Sequence, residues 1–188
     1  MSTTSLPLVP AARPAWTASI PRQVVLAVAG SAALAVSAHI AVPMWPVPIT
    51  AQTLVVLALG FAFGPTLAAS TVVLYLIEGV AGLPVFTVPP GPGALAGPTA
   101  GYLFGFVAAA ALTGVLAQRG WQRNPATVAA GMVLGNLTIY LGGVGYLTTL
   151  IGFDAALSGG LYPFLIGDAV KIALAVAALP ILTRRIER

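Results

Sequence analysis

Long apolar runs follow one another along almost the whole chain, and short segments rich in proline and glycine separate them. A helix that crosses the hydrocarbon core of a membrane needs about 20 apolar residues. The second run is short, so a count of five spans stays open beside a count of six. We predict an all-α fold, a polytopic membrane helix bundle of six transmembrane helices. The predicted spans are residues 22–42, 50–64, 66–83, 98–118, 126–150 and 161–183.

Composition supports this interpretation, because 59% of the 188 residues are hydrophobic and only 6% are charged. A soluble domain averages about 25% charged residues. So few charges cannot cover the surface of a water-soluble domain of this length, and most of the surface must therefore face lipid. The sequence contains no cysteine, which excludes disulfides, thiolate metal ligands and cysteine nucleophiles.

The basic residues indicate how the spans are oriented. Cytoplasmic loops of membrane proteins carry an excess of Lys and Arg. If six spans start inside, every arginine falls on an inner segment, while the outer segments 43–49, 84–97 and 151–160 hold neither Lys nor Arg. We therefore expect a multi-pass membrane protein with both termini in the cytoplasm. The arginines are Arg13, Arg22, Arg119, Arg123, Arg184, Arg185 and Arg188.

This placement of charge also defines the expected domains. Residues 1–21 are predicted to form a cytoplasmic or interfacial tail, residues 22–183 a six-helix membrane domain, and residues 184–188 a basic cytoplasmic C-terminus. The net charge of +4 does not indicate nucleic acid as a partner, since no basic stripe is interleaved with aromatic residues.

Asp168 and Lys171 are the most informative polar residues in the predicted spans. They lie three apart on the last span and so share one helix face. Counted from Leu161 at 1.5 Å per residue, they lie about 10–15 Å into the membrane. Ionisable groups there are costly, about 2.5–3.5 kcal/mol on insertion scales. The pair either neutralises itself and locks the bundle, or binds a polar ligand through its ammonium and carboxylate groups.

Other candidate binding residues fall near the same outer level. Thr50 and Gln52 follow a stiff loop that contains three prolines, and Glu78 ends the third span. Phe86 and Tyr102 come from two further uncharged segments on that side. Glu78 is either exposed at the membrane interface or part of the site. Together these segments predict a rigid lid and a pocket open to the outside.

Two further patterns have a structural and a functional interpretation. Asn136 and Tyr140 are spaced i,i+4 on the fifth span, where Asn136 hydrogen-bonds either between helices or to a substrate. Small residues spaced as Ala29-x-x-x-Ala33 on the first span favour close helix contacts, within the bundle or with another membrane protein. Ala27, Ser31 and Ala35 offer a competing register on the same helix.

Catalytic motifs are absent from the sequence, which has no HExxH, GxSxG or P-loop. We therefore predict that the chain is not an enzyme and needs no cofactor, and that any ATP hydrolysis belongs to a partner. His39 lacks the neighbouring ligands that a metal site requires. A distant alternative, a membrane enzyme, depends on Ser158, whose surroundings distantly resemble a membrane serine-protease motif but lack an evident base.

Three motifs and a pair of charged residues, which follow one another in a fixed order along the chain, resemble the pattern of a known family. They are VPMWPVPITAQTL at Val42–Leu54, LYLIEGVAGLPVF at Leu74–Phe86 and GPTAGYLFGF at Gly97–Phe106, followed by Asp168 and Lys171 on the last span. This order of motifs resembles the BioY family, the biotin-specific substrate-capture subunits of energy-coupling-factor transporters. The resemblance extends over about residues 24–183.

The resemblance implies a six-helix fold in the bacterial cytoplasmic (inner) membrane, with a pocket near the outer surface that holds biotin tightly. It implies a membrane coupling protein and two cytoplasmic ATPase subunits as partners. It associates the last-span acid and lysine, here Asp168 and Lys171, with biotin binding. It also associates the small residues of the first span, here Ala29 and Ala33, with docking to the coupling protein. Glu78 departs from the family pattern, in which many members carry Gly or another neutral residue at this place.

The resemblance therefore predicts a high-affinity biotin-binding membrane subunit of an energy-coupling-factor (ABC-type) vitamin importer. Biotin combines a carboxylate, a ureido ring and an apolar ring, which suit a lysine, a carboxylate, amides and aromatics such as Trp45. Our working assignment places Lys171 on the biotin carboxylate. Capture of another vitamin, such as riboflavin or thiamine, and a purely structural partner-binding role remain as alternatives.

Overall fold

The computed structural model describes residues 19–186, with side chains described as far as residue 181. The predicted tail lies outside the described residues up to residue 18, and so do the side chains of the predicted C-terminal segment 184–188. The helices are α1 (Ile20–His39), α2 (Gln52–Phe63), α3 (Pro65–Val80), α4 (Ala100–Gln118), α5 (Pro125–Ile151), α6 (Phe153–Gly160) and α7 (Tyr162–Ile186). Two short strands, β1 (Ala41–Val42) and β2 (Ile49–Thr50), and the 3₁₀ turns Pro92–Leu95 and Trp121–Arg123 complete the described secondary structure.

Proline and glycine set the helix boundaries, as the sequence predicts. Gly64 separates α2 from α3 with a φ of 78°, which strongly favours glycine, and Pro65 then starts α3. Asn124 caps α5 by accepting a hydrogen bond from the backbone N–H of Ala126 at 2.9 Å, one residue after Pro125. These two breaks therefore follow from local chain chemistry.

All six predicted spans correspond to helices, but the structure adds two elements that were not predicted. The outer segment 151–160, expected to be a loop, contains the eight-residue helix α6. The segment 43–49, expected to be a loop, is closed at its base by pairing of β1 with β2, where Ala41 faces Thr50 and Val42 faces Ile49. We call residues 41–50 the hairpin.

Four helical stretches in the described part of the chain are long and apolar enough to cross a membrane. They are Ile20–His39, Ala100–Gln118, Pro125–Ile151 and Phe153–Ile181, the last of which joins α6 to most of α7. The apolar helices Gln52–Phe63 and Pro65–Val80 are shorter. At 1.5 Å per residue, α2 covers about 18 Å, less than the roughly 30 Å of a bilayer core.

Helix α4 is the central helix, and it packs against α2, α3 and α5. Glycines permit this close approach. A Cβ added at Gly101 would lie 2.3 Å from the carbonyl oxygen of Gly142 on α5, and one added at Gly60 of α2 would lie 2.7 Å from the carbonyl oxygen of Ala110 on α4. Small residues therefore bring three helix backbones into contact, as is common in membrane bundles.

The two ends of the bundle differ in charge. At one end, the α2–α3 turn packs on Gly114 of α4, and the turn Trp121–Arg123 contacts α7. This end carries Arg119 and Arg123, and α1 starts there with Arg22. At the opposite end, the hairpin packs against α6, since a Cβ added at Gly159 would lie 2.6 Å from Pro46. We call these the arginine end and the hairpin end.

Candidate ligand-binding site

A cavity lies beneath the hairpin, between α2, α3, α4, α5 and α7. It contains about 570 Å³ of space between its lining atoms, its open mouth included. The lining residues are Val47, Pro48, Thr50, Gln52, Thr53, Tyr75, Phe86, Thr87, Val88, Thr99, Tyr102, Leu103, Phe106, Ile139, Tyr140, Phe164 and Lys171.

The charged group of the cavity is an ion pair on α7. Lys171 Nζ lies 3.0 Å from Asp168 Oδ1, and the two side chains are only 12% and 6% exposed. Thr53 of α2 bridges the pair, because its hydroxyl accepts a hydrogen bond from Lys171 at 2.8 Å and donates one to Asp168 Oδ1 at 3.3 Å. The hydroxyl of Tyr140 on α5 donates to Asp168 Oδ2. Three helices thus meet at one carboxylate.

This network leaves a donor available at the cavity surface. An ammonium has three N–H donors, and Lys171 uses two of them on Thr53 and Asp168. Lys171 lines the cavity, whereas Asp168 lies immediately behind three residues that do. Since the pair is neutral overall, the cavity offers hydrogen-bonding groups without a net charge.

A second polar chain holds the roof of the cavity. The Gln52 amide donates to the hydroxyl of Tyr75 at 2.8 Å, and that hydroxyl donates to the carbonyl of Val85 at 3.0 Å. Thr50 donates to Gln52 Oε1 at 3.1 Å and accepts from the backbone N–H of Gln52 at 3.2 Å. These bonds fix the hairpin and the segment after α3 to α2 and α3, so the roof is preorganised.

Aromatic rings form much of the remaining wall. Tyr75 and Phe86 meet edge to face with ring centroids 5.2 Å apart. Phe164 stacks on Tyr102 at 6.1 Å and meets Tyr140 edge to face at 6.4 Å. Such rings bury a large apolar area with defined geometry. The cavity therefore suits a ligand with an apolar ring and a compact polar group.

Most sequence-predicted site residues come together here. Six of the nine line the cavity and Asp168 lies directly behind it, although they come from four helices and the segments between them. The lining members of the predicted set are Thr50, Gln52, Phe86, Tyr102, Tyr140 and Lys171.

Three aromatic and polar residues lie away from the cavity, which corrects their expected placement. Glu78 accepts a hydrogen bond from Ser31 on α1 and is not in the lining. Asn136 is 6% exposed and buried in the bundle, and its Oδ1 has no hydrogen-bond partner among the described residues. Trp45 is 76% exposed at the tip of the hairpin, because the closed hairpin turns its tip away from the cavity.

Sequence reasoning missed several lining residues. Thr53 lies one residue after Gln52, and Tyr75 lies in the same motif as Glu78, so both were within quoted motifs. Both residues lie on the helix faces that line the cavity. A sequence motif alone does not show which face of a helix points into the bundle. Thr99 directly precedes α4; its side chain makes no cap hydrogen bond and lines the cavity. Phe164 carried no signal beyond its aromatic character.

The structure gives the alternative enzyme site little support. The Ser158 hydroxyl donates to the carbonyl of Ala155 on its own helix at 3.2 Å. Within residues 19–181, no group of three or more His, Cys, Asp or Glu side chains is arranged to hold a metal ion.

A bundle of apolar helices that encloses a neutral ion pair and aromatic walls near one end is a membrane protein built to bind a small, partly polar ligand. The chain belongs to the BioY family, whose model matches residues 9–188. It is similar to the probable biotin transporter BioY of Pyrococcus horikoshii, with 37% identity over 75% of this chain and 83% of that protein. It is also similar to the biotin transporter BioY of Thermotoga maritima, with 35% identity over 89% of this chain and 99% of that protein.

The fold itself matches a solved membrane protein. The S-component for biotin from an ECF-type ABC transporter superimposes with a TM-score of 0.74, over 87% of this chain and 92% of that chain. The two sequences are 21% identical. The likeness therefore shows a shared helical arrangement.

Proposed function

We propose that this chain is the biotin-binding membrane subunit of an energy-coupling-factor vitamin importer. The observation that carries the proposal is the cavity itself, where the ion pair of Asp168 and Lys171 faces aromatic walls. Membership of the BioY family, with relatives named as biotin transporters, selects biotin among ligands of this type. The chain acts as a transporter subunit and not as an enzyme.

The neutral ion pair favours one orientation of biotin. A carboxylate brought next to Lys171 would leave the buried cluster with a net negative charge, since Asp168 already balances the ammonium. Burial of an uncompensated charge costs several kcal/mol. The uncharged ureido ring avoids this cost, because its carbonyl can accept from Lys171 and its N–H groups can donate to nearby oxygens. We therefore place the ureido ring at the ion pair, which revises our assignment of Lys171 to the biotin carboxylate.

The proposed partners are a membrane coupling protein and two cytoplasmic ATPase subunits. The chain has no nucleotide-binding motif, so ATP hydrolysis belongs to those subunits. Ala29 and Ala33 are exposed on α1, whereas Ser31 of the competing register is wholly buried. We propose the exposed face of Ala29 and Ala33 as the surface on which the coupling protein docks, because small residues allow two helices to approach closely.

In the proposed topology, the chain crosses the inner membrane six times. Both termini lie in the cytoplasm. Helices α1 to α5 and α7 serve as the spans, and the short α6 lies at the hairpin end. The side chains of Arg22, Arg119 and Arg123 fall at the arginine end, which the positive-inside rule assigns to the cytoplasm. The cavity then opens to the outside.

The decisive experiment measures binding of biotin, riboflavin and thiamine to the purified chain by calorimetry in detergent. We expect biotin alone to bind. Lys171→Met should lower the affinity at least tenfold and also lower the thermal stability, because removal of one partner leaves a buried unpaired charge, at a cost of about 3–5 kcal/mol.

The matched comparisons separate binding from folding. The double variant Asp168→Asn/Lys171→Met should recover much of the stability, since no charge is left unpaired, but should not recover biotin binding. Asp154→Asn, which changes an exposed carboxylate on α6, should leave both unchanged. Full biotin affinity in the double variant would remove the ion pair from the proposed site.

A further inference from the structure

We propose that Glu78 is a positioning residue that fixes the rotation of α1 about its own axis and thereby directs Ala29 and Ala33 outward. This inference rests on the proposed function only where it identifies the outward face as the docking surface for the coupling protein. The rotation itself follows from contacts within the chain.

A partly buried hydrogen bond joins α1 to α3. The hydroxyl of Ser31, which is 0% exposed, donates to Oε2 of the half-buried Glu78. Among the described residues, Ser31 is the one hydrogen-bond partner that we find for the Glu78 carboxylate, and no basic side chain pairs with it. Glu78 lies outside the cavity lining, so ligand contact does not account for its presence in a membrane helix.

The geometry of α1 places this bond opposite the docking face. Successive residues of an α-helix are rotated by about 100°, since there are 3.6 residues per turn. Ser31 is two residues from both Ala29 and Ala33, so it lies about 160° around the helix axis from each of them. The bond to Glu78 therefore holds the back of α1 while both alanines point away from the bundle, where they are exposed.

A second polar contact reaches α1 in its last turn, where the hydroxyl of Thr87 donates to the backbone carbonyl of Ala38 at 3.1 Å. A backbone carbonyl is directed along the helix axis, so this bond constrains the rotation of α1 less than a bond to a side chain does.

The remaining inward face of α1 fixes its rotation weakly. Gly30 and Leu34 pack there through van der Waals contacts. Apolar side chains gain little from leaving lipid for another helix, because both surroundings are equally apolar, so directional polar contacts carry more of the specificity. Ser37 and His39 do not help, since their side chains bond back to α1 at the carbonyls of Leu34 and Ala35, each at 2.8 Å.

The rotation can be measured without any partner, because the chain has no cysteine and a single introduced one can be spin-labelled specifically. A label at Ala33→Cys in proteoliposomes should show high oxygen accessibility, as expected for a lipid-facing site. Adding Ser31→Ala or Glu78→Met should lower the accessibility at position 33 and raise it at a matching Ala35→Cys label. Glu78→Gln should preserve the parent values, because the amide oxygen still accepts from Ser31.

Ser37→Ala is the matched control, since it removes a buried hydroxyl from the same helix without touching the bond to α3. It should change neither label. Unchanged accessibility in both Ser31→Ala and Glu78→Met would overturn the proposal.

The functional consequence is measured by assembly with the coupling protein, in chains that carry no label. Ser31→Ala and Glu78→Met should each weaken assembly about threefold, the typical effect of one hydrogen bond between membrane helices. Biotin affinity should stay unchanged, and Glu78→Gln should restore assembly. If biotin affinity falls as much as assembly, Glu78 acts on the whole fold and the inference is wrong. If the parent chain neither binds biotin nor assembles, the proposed function fails while the label measurements still decide the rotation.

Discussion

The hydroxyl of Thr53 connects α2 to the ion pair on α7. It accepts from Lys171 and donates to Asp168, so a single oxygen orients both members of the pair. Without it, the ammonium would lose one of its two hydrogen-bond acceptors and could turn away from the cavity. Thr53 lines the cavity as well, so it influences the ligand directly and through Lys171.

We predict that Thr53→Val weakens biotin binding about tenfold, equal to about 1.4 kcal/mol. Valine keeps the shape of threonine but lacks the hydroxyl, and a hydrogen bond to a charged group contributes about 1.5–3 kcal/mol. Calorimetry in detergent measures the change. Thr138→Val is the control, because its hydroxyl bonds only to the carbonyl of Leu134 on its own helix at 2.9 Å. Equal affinity in the two variants would contradict a role for Thr53.

The sequence predicted the pair itself but not its surroundings. Asp168 and Lys171 share a face on any helix, whatever that helix packs against, so their contact depends on local geometry alone. The contacts of Tyr140 and Thr53 with that pair depend on how three helices are arranged. Glu78 was ambiguous for the same reason, since only the position of α1 shows that Ser31 is its partner.

At the scale of helices, the contact between α4 and α5 sets the width of the cavity. Gly101 and Gly142 pack backbone against backbone, and a Cβ at Gly101 would also lie 2.5 Å from Cβ of Tyr146. Neither backbone can yield locally, so any added atom would push the helices apart. Tyr102, next to Gly101, lines the cavity and donates to the carbonyl of Gly160 at 2.7 Å.

We predict that Gly101→Ala destabilises the bundle by about 1–3 kcal/mol, the usual cost of overpacking a close contact. Biotin binding should weaken too, because the displaced helix carries Tyr102. Thermal unfolding in detergent and calorimetry measure the two effects. Gly145→Ala on α5 is the matched control, since a Cβ there meets nothing within 4 Å. A lower midpoint in Gly145→Ala than in Gly101→Ala would refute the packing argument.

The helices could be predicted from the sequence because the length of an apolar run and the helix-breaking residues Pro and Gly act locally. Helix α6, which the sequence analysis did not predict, has only eight residues and lies between Gly152 and Leu161. It is too short to produce a long apolar run in the sequence. The hairpin was missed because each strand has two residues, too few for a period-2 pattern. Both elements are defined by their packing at the hairpin end rather than by their own composition.

The short α2 explains how a membrane bundle can hold a polar cavity. It has only 12 residues, and the hairpin precedes it directly in the chain. Irregular backbone at membrane depth is tolerated only where it is buried in protein or lines a cavity. Thr50 and Gln52 lie where the hairpin gives way to α2, and both line the cavity. The hairpin and the start of α2 therefore supply polar side chains to the cavity together.

At the scale of the whole molecule, charge separates the two ends of the bundle. The described arginine side chains lie at the arginine end, while the hairpin end carries the cavity and the acidic Asp154 on α6. A cavity that captures a vitamin from outside must open away from the compartment that holds the ATPases. Orientation in the membrane is therefore as important to the proposed function as the binding groups are.

Single cysteines in the cysteine-free chain test this orientation. We predict that Ala155→Cys, at the hairpin end, reacts with an impermeant maleimide in intact cells or spheroplasts. Gln118→Cys, at the arginine end, should react only after the membrane is permeabilised; both positions are exposed, so protein burial does not explain a difference. The reverse pattern would put the cavity mouth on the ATPase side. The positive-inside rule ties the result to charge, because each cytoplasmic arginine opposes transfer of its loop across the membrane. Replacing Arg119 and Arg123 together by Gln should then raise the fraction of chains in which position 118 is labelled from outside.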